Sequence, residues 1–146
     1  MKKLVLIIVT LLSLNGYSQT TYTDLEKELF KIFNEYRISI GEDSSIYDKV
    51  DSDKCRIHST EMNKNKSLYH SGVGGEICMI NHFKFNYFEY HTTQSLAKDI
   101  LDLFLTSTKG HKEIIEEFST SISVGVSIDY PNDDVYITIR FGYLGY

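Results

Sequence analysis

The chain alternates between a helical and an extended hydrophobic pattern, and this alternation divides it into predicted elements. Apolar residues recur every three or four positions in four segments, which are 24–38, 51–64, 96–104 and a segment beginning after Gly110. The last of these would present Ile114, Ile115 and Phe118 on one inward face. Thr23 and Glu26 have the spacing of a capping box, which predicts that the first helix begins there.

Alternation with a period of two predicts strands. The segments 122–128 and 135–141 show this alternation, and 76–80 is a short apolar run. The last two flank a turn at Pro131–Asp134 and form a predicted hairpin. Aromatic and polar residues also alternate over 81–92, as in a strand or an extended loop, and the aromatic residues at 83–90 either line a groove for an apolar ligand or pack against the core. Helices followed by an antiparallel pair predict an α+β fold.

The first residues, 1–18, have the pattern of a secretory signal peptide. Two lysines precede the apolar run Leu4–Leu12, and Gly16–Ser18 offers small residues before Gln19. The apolar run is shorter than the about 20 residues that a membrane-spanning helix needs. We therefore expect an exported protein, extracellular or periplasmic, with a single mature domain over 19–146 and no membrane span.

The net charge of the chain limits the kinds of partner that it can bind. The chain has 15 basic and 20 acidic residues, so its net charge is −5, and removal of Lys2 and Lys3 would leave 13 against 20, or −7. A surface this acidic repels phosphate backbones and anionic lipid headgroups. The composition therefore argues against nucleic acid as a partner.

Cys55 and Cys78 are the two cysteines of the chain. Export permits a disulfide between them, which would close a loop of about 24 residues and stabilise the fold by roughly 3 kcal/mol. The alternative is a pair of buried thiols that act as small hydrophobic side chains. The sequence leaves both alternatives open.

Two histidines and one glutamate are the candidate chemical groups. His70 lies in a loop before the glycine-rich segment Gly72–Gly75, and Glu76 opens an apolar strand, where an unpaired carboxylate would be costly. His111 lies near the N-terminus of its helix, whose dipole favours a neutral imidazole. Two imidazoles and a carboxylate can bind a metal or exchange protons. The plain alternatives are an exposed His70 without a function and a His111 that is hydrogen-bonded to a backbone carbonyl in the core.

The motifs around these residues resemble those of a known family. Five motifs occur in order, which are Asn34–Arg37, Cys55–Met62, Tyr69–Ser71, Gly75–Glu76 and Gly110–His111. They resemble the Asn-x-x-Arg, His-Ser-x-x-Met, first-histidine, Gly-Glu and second-histidine motifs of the CAP superfamily, which comprises cysteine-rich secretory, antigen 5 and pathogenesis-related proteins and bacterial SCP-like extracellular proteins. The resemblance implies one CAP domain with the fold of a three-layer α-β-α sandwich around a central antiparallel sheet.

The resemblance also implies a groove that carries His70, Glu76 and His111. The second glutamate of the family falls near Ser107 here, so Ser107 joins the groove and three of the four family groups remain. As metal ligands, His70, His111 and Glu76 would hold Zn²⁺ or another divalent cation, with Glu76 as the candidate base of any reaction.

Three functional hypotheses follow. The leading one is a secreted binding module whose groove holds a small molecule, lipid or peptide. The second is a metal-assisted, peptidase-like hydrolase in which zinc-bound water is the nucleophile and Glu76 the base. The third is a scaffold without catalysis that binds its partners through its outer surface.

Overall fold

The computed structural model describes residues 21–83 and 91–143. The main elements are α1 (Tyr22–Ser39), β1 (Ile46–Tyr47), α2 (Lys49–Asn65), β2 (Glu76–His82), α3 (Thr93–Leu105), α4 (His111–Glu116), β3 (Ser121–Asp129) and β4 (Asp134–Gly142). The predicted helices and the predicted hairpin are therefore present. The predicted signal peptide, 1–18, and residues 84–90 of the predicted aromatic stretch lie outside the described residues. Within the described ranges, no helix combines the length and the apolar character needed to cross a membrane.

One mixed sheet organises the fold, with the strand order β1-β3-β4-β2. The pairs β2–β4 and β3–β4 are antiparallel, whereas β1 runs parallel to β3, with Ile46 opposite Ser121. The prediction of an antiparallel sheet is therefore wrong at β1. This strand has two residues, too few to show a hydrophobic period, and backbone hydrogen bonds such as Ile46 N to Thr120 O, 2.9 Å, define it.

The two faces of β4 bury different kinds of side chain. Val135, Ile137, Ile139 and Phe141 belong to the main hydrophobic core, together with apolar residues of α1, α3 and α4. The alternate residues Tyr136, Thr138 and Arg140 contact residues of α2, which are Met62, Ser59 and Asp51. Because side chains alternate along a strand, the polar side chains of Thr138 and Arg140 lie on the face of the sheet that α2 covers.

Helix α2 approaches β3 closely at Gly125. A Cβ atom at this position would lie 2.0 Å from the backbone nitrogen of Arg56 and 2.1 Å from the carbonyl carbon of Cys55. The hydroxyl of Ser59 donates to Gly125 O at 2.9 Å and lies 3.0 Å from Thr138 Oγ1. Because glycine has no side chain, α2 can lie this close to the sheet at Gly125.

The first helix begins earlier than the capping-box spacing predicts. Thr21 is its N-cap, and the Thr21 hydroxyl accepts a hydrogen bond from Asp24 N at 3.2 Å. Glu26 is instead buried, at 1% exposure, and its carboxylate accepts hydrogen bonds from Arg56 Nη2 at 2.6 Å and Val126 N at 3.0 Å. The prediction of a capping box at Thr23 is therefore wrong, because Glu26 pairs with a cation of α2.

The fourth helix is shorter than its apolar pattern predicts. It ends at Glu116, and Phe118 lies beyond it with 54% of its surface exposed, in contact with the ring of Tyr143. Ile115 is the fully buried residue of this helix. The predicted inward face therefore holds for Ile115 and is wrong for Phe118, because the chain leaves the helix before reaching it.

Candidate functional site

His111 is the first residue of α4, next to a glycine that turns the chain. Gly110 has φ +78°, a left-handed conformation that favours glycine. The imidazole packs edge-on against Phe104, with ring centroids 5.2 Å apart. Its Nδ1 atom is buried and has no hydrogen-bond partner among the described residues. Burial, and secondarily the neighbouring His70, lower the pKa of His111, so the ring is neutral at neutral pH.

Arg37 of the Asn-x-x-Arg motif holds the other end of the same helix. It is fully buried, and its Nη1 donates to Ile115 O and Glu117 O, both at 2.6 Å, while Nη2 donates to Ser119 O at 3.4 Å. Carbonyl groups at a helix C-terminus lack partners within the helix. Arg37 satisfies them from α1 and so positions the short helix that begins with His111.

A cavity of about 460 Å³ lies between β2 and the α3–α4 connection. Its apolar lining residues are Leu68, Cys78, Met79, Ile80 and Leu103, and its polar ones are Asn81, Thr106, Ser107, Thr108, Lys109 and His111. The structure thus places two of the predicted groove residues, His111 and Ser107, on one cavity. The Ser107 hydroxyl also accepts a hydrogen bond from Lys109 N at 3.2 Å, which shapes this part of the wall.

Glu76 lies on the α2 side of the sheet and is engaged by several donors. Its side chain is 1% exposed, and it accepts hydrogen bonds from Ser71 N at 2.7 Å, Ser71 Oγ at 2.5 Å and Arg140 Nε at 2.9 Å. Burial by itself would raise the pKa of Glu76, but the bonds from Ser71 and Arg140 outweigh it and hold the pKa below its ordinary value. A carboxylate held in this way is a weak base at neutral pH.

His70 lies next to Glu76 but faces solvent. Its side chain is 55% exposed, and its Nδ1 lies 3.5 Å from Glu76 Oε1. Neither His70 nor Glu76 lines the cavity that His111 borders.

A compact group of potential metal ligands exists, but it differs from the predicted one. In the described part of the chain, His58, Glu76 and Cys78 are the three residues whose ligand atoms all lie within 4.8 Å of one another. His70 and His111 do not belong to this group. A metal held by His70, Glu76 and His111 therefore stays a prediction.

Both cysteines are buried free thiols in the structure, the second of the two alternatives for this pair. Burial raises the pKa of Cys55 and of Cys78 to about 12, so both carry their protons at neutral pH. The Cys78 thiol donates to Glu76 Oε1 at 3.5 Å and lies 3.9 Å from Thr138 Oγ1. Cys55 therefore lies on α2, and Cys78 lies beside Glu76 and Thr138 on the face of the sheet that α2 covers.

The partners of Glu76 did not follow from the sequence pattern. Arg140 lies 64 residues later, and the strand register that pairs it with Glu76 is not visible in a hydrophobic pattern. A signal was present, since Arg140 is a charged residue at an alternate strand position that shares a face with Tyr136 and Thr138. His58 shares the inner face of α2 with Cys55 and Met62, which marked it as buried but not as part of a site.

The structure resembles solved structures of extracellular bacterial proteins. An outer surface protein from Borrelia burgdorferi has a TM-score of 0.62 and 12% sequence identity, and the match covers 84% of this chain and 96% of that one. An extracellular protein containing an SCP domain from Bacillus anthracis str. Ames has a TM-score of 0.58 and 17% identity, and the match covers 83% of this chain and 41% of that one.

Comparison of the sequence with family models and with curated proteins gives no match. The likeness to these solved structures therefore rests on the fold. The predicted resemblance to CAP and SCP-like proteins is confirmed for the fold alone, which this chain shares with the Bacillus anthracis protein that contains an SCP domain.

Proposed function

We propose that this protein is an exported SCP-domain binding module whose cavity holds a small amphipathic molecule. The observation that carries the proposal is the cavity of about 460 Å³ that His111 and Ser107 border together with the apolar side chains of Met79, Ile80 and Leu103. Small-molecule sites typically enclose about 300–1,000 Å³ and combine an apolar lining with few polar groups. This cavity has that size, and its lining is more polar than is typical, with six polar and five apolar residues.

The lining favours a ligand with a hydrocarbon part and an anionic or hydrogen-bonding end. Leu68, Met79, Ile80 and Leu103 offer apolar contact. The neutral imidazole of His111 can accept or donate a hydrogen bond, and the Lys109 ammonium can balance a carboxylate or phosphate. A lipid-like carboxylate fits these features, and a peptide is the competing ligand class.

The hydrolase hypothesis receives less support than the binding hypothesis. Its base would be Glu76, but both Glu76 oxygens accept hydrogen bonds and its pKa is lowered. The same carboxylate is buried away from the cavity lining. The hydrogen bonds and the burial of Glu76 indicate that this residue stabilises the fold.

Export and the layered architecture are parts of the same proposal. The Bacillus anthracis protein is described as extracellular and the Borrelia burgdorferi protein as an outer surface protein, which agrees with the signal-peptide pattern at 1–18. We infer that the helices form the outer layers of an α-β-α sandwich. The contacts of α2 with Tyr136, Thr138 and Arg140, and of α1, α3 and α4 with the alternate β4 residues, support that arrangement.

Calorimetry with dodecanoate tests the binding function. We expect micromolar affinity for dodecanoate, near −8 kcal/mol. Leu103→Ser should weaken it about tenfold, because apolar contact is lost. Lys109→Gln should weaken binding of dodecanoate but not of uncharged dodecanol. Ile57→Ser is the matched control, since Ile57 is a 62% exposed residue on the outer side of α2.

Two outcomes would overturn the proposal. One is the absence of binding for both dodecanoate and dodecanol, which would leave the interaction scaffold as the better hypothesis. The other is equal affinity in the Leu103 and Ile57 variants, which would place the ligand outside this cavity. Binding of an apolar peptide in place of both amphiphiles would change the ligand class.

A further inference from the structure

A second site lies on the other side of β2, beneath α2. Glu76 and Cys78 are two residues apart on β2, so their side chains point to the same face, and His58 faces them from α2. The ligand atoms of the three residues all lie within 4.8 Å of one another, and all three residues are buried. We propose that His58, Glu76 and Cys78 form a buried site for a thiophilic divalent cation such as Zn²⁺.

One hydrogen bond fixes the tautomer of His58. Its Nε2 lies 2.9 Å from Tyr69 O, and because a carbonyl oxygen accepts, Nε2 is the nitrogen that carries the proton. The neutral ring then has its lone pair on Nδ1. A metal-binding histidine typically donates its other N–H to a carbonyl or a carboxylate in this way. The ring of Tyr69, 4.9 Å away and nearly perpendicular, fixes the plane of the imidazole.

The donor atoms select the class of metal. A thiolate, an imidazole and a carboxylate together suit Zn²⁺ or Co²⁺ better than Mg²⁺ or Ca²⁺, which prefer oxygen ligands. Three protein ligands leave one position of a tetrahedron for water. Cys78 also borders the cavity described above.

The charges around the site are suited to one divalent cation. Glu76 and Asp51 both pair with Arg140, at 2.9 and 3.0 Å, so these three groups carry a net charge of −1. Binding of M²⁺ with release of the Cys78 proton to solvent adds one positive charge and brings the cluster to neutrality. Arg140 also has Asp51 as a partner, so it stays paired when Glu76 binds the metal. Lys54 contacts Asp51 from the solvent side, with its side chain 65% exposed.

Cobalt titration of the whole protein tests the site. The protein is reduced, its two free thiols are counted with a thiol reagent, and Co²⁺ is added. We expect a thiolate-to-cobalt charge-transfer band in the near ultraviolet that Zn²⁺ abolishes by displacement. Cys78→Ser should remove the band, and His58→Gln should weaken Co²⁺ binding at least tenfold.

Three matched variants separate this site from others. Cys55→Ser should keep the band, which assigns the thiolate to Cys78. His70→Ala and His111→Ala should also keep it, whereas loss of metal binding in these two would place the ion on the predicted groove ligands instead. The proposal is overturned by the absence of a charge-transfer band in the reduced wild-type protein, by a band that survives Cys78→Ser, or by purified protein that holds Cys55 and Cys78 in a disulfide.

Discussion

Arg140 and Glu76 lie directly opposite each other on β4 and β2, and their side chains form a buried ion pair, with Nε 2.9 Å from Oε2. Both also bind the loop that precedes β2, because Ser71 Oγ lies 3.0 Å from Arg140 Nη2 and 2.5 Å from Glu76 Oε2. The glutamate that the sequence marked as a candidate base therefore fastens the His70 loop to the sheet.

Removal of one charge from this pair should destabilise the fold strongly. We expect Glu76→Gln to lower the free energy of unfolding by about 3 kcal/mol, because a buried guanidinium loses its partner. Arg140→Met should have a similar effect. The double variant should lose less than the sum of the two. Urea denaturation at neutral pH measures all three.

A partly exposed glutamate provides the control for this pair. Glu28 forms a surface pair with Lys31 at 3.2 Å, and Glu28→Gln should change the stability by less than about 0.5 kcal/mol. Equal effects of Glu76→Gln and Glu28→Gln would contradict the role of the buried pair.

Acid should weaken the fold through His111. Because burial lowers the pKa of His111 in the folded state, the unfolded chain takes up a proton first as the pH falls. The stability from this group is therefore present above about pH 6.5 and is lost as the pH falls from there toward the lower folded pKa. We expect His111→Asn to lose less stability than the wild type between about pH 7.5 and about pH 5.5. Parallel losses, measured by urea denaturation, would show that His111 is not linked to folding.

The sequence predicted the long elements of the fold better than the short ones. The three longer helices and the hairpin repeat their period several times, and each recurs in the structure. The strand Ile46–Tyr47 and the end of α4 at Glu116 depend on contacts between distant segments, which no local pattern contains. The predicted capping box failed for a related reason, because Glu26 pairs with Arg56, 30 residues away.

The candidate site also has parts that follow from the local sequence and parts that depend on contacts between distant segments. His111 and Ser107 line one cavity because both lie at the α3–α4 connection, which is a local feature of the chain. The environment of Glu76 depends on Ser71, which is close in the sequence, and on Arg140, which is not. Register across a sheet and packing of α2 on it brought His58 and Cys78 to the same carboxylate, and neither follows from the spacing of residues along the chain.

A side chain at Gly125 should prevent α2 from packing on the sheet. The added Cβ would lie 2.0 Å from Arg56 N, where backbone and not a flexible side chain must move. We expect Gly125→Ala to cost more than about 4 kcal/mol and to yield little soluble protein. Gly74→Ala is the matched control, since no atom lies within 4 Å of its Cβ position. A folded Gly125→Ala protein with wild-type stability would contradict the close contact.

Loss of Arg37 should disturb both the fold and the cavity. Arg37→Met leaves the carbonyls of Ile115, Glu117 and Ser119 without this donor, and buried groups without partners cost about 1–3 kcal/mol each. We expect a loss of about 3 kcal/mol in urea denaturation. Because Arg37 holds the helix that begins with His111, dodecanoate affinity of the folded variant should also fall. Lys31→Met, at a half-exposed position of α1, is the control and should change neither measurement. If dodecanoate binds both variants with equal affinity, Arg37 stabilises the fold without positioning His111.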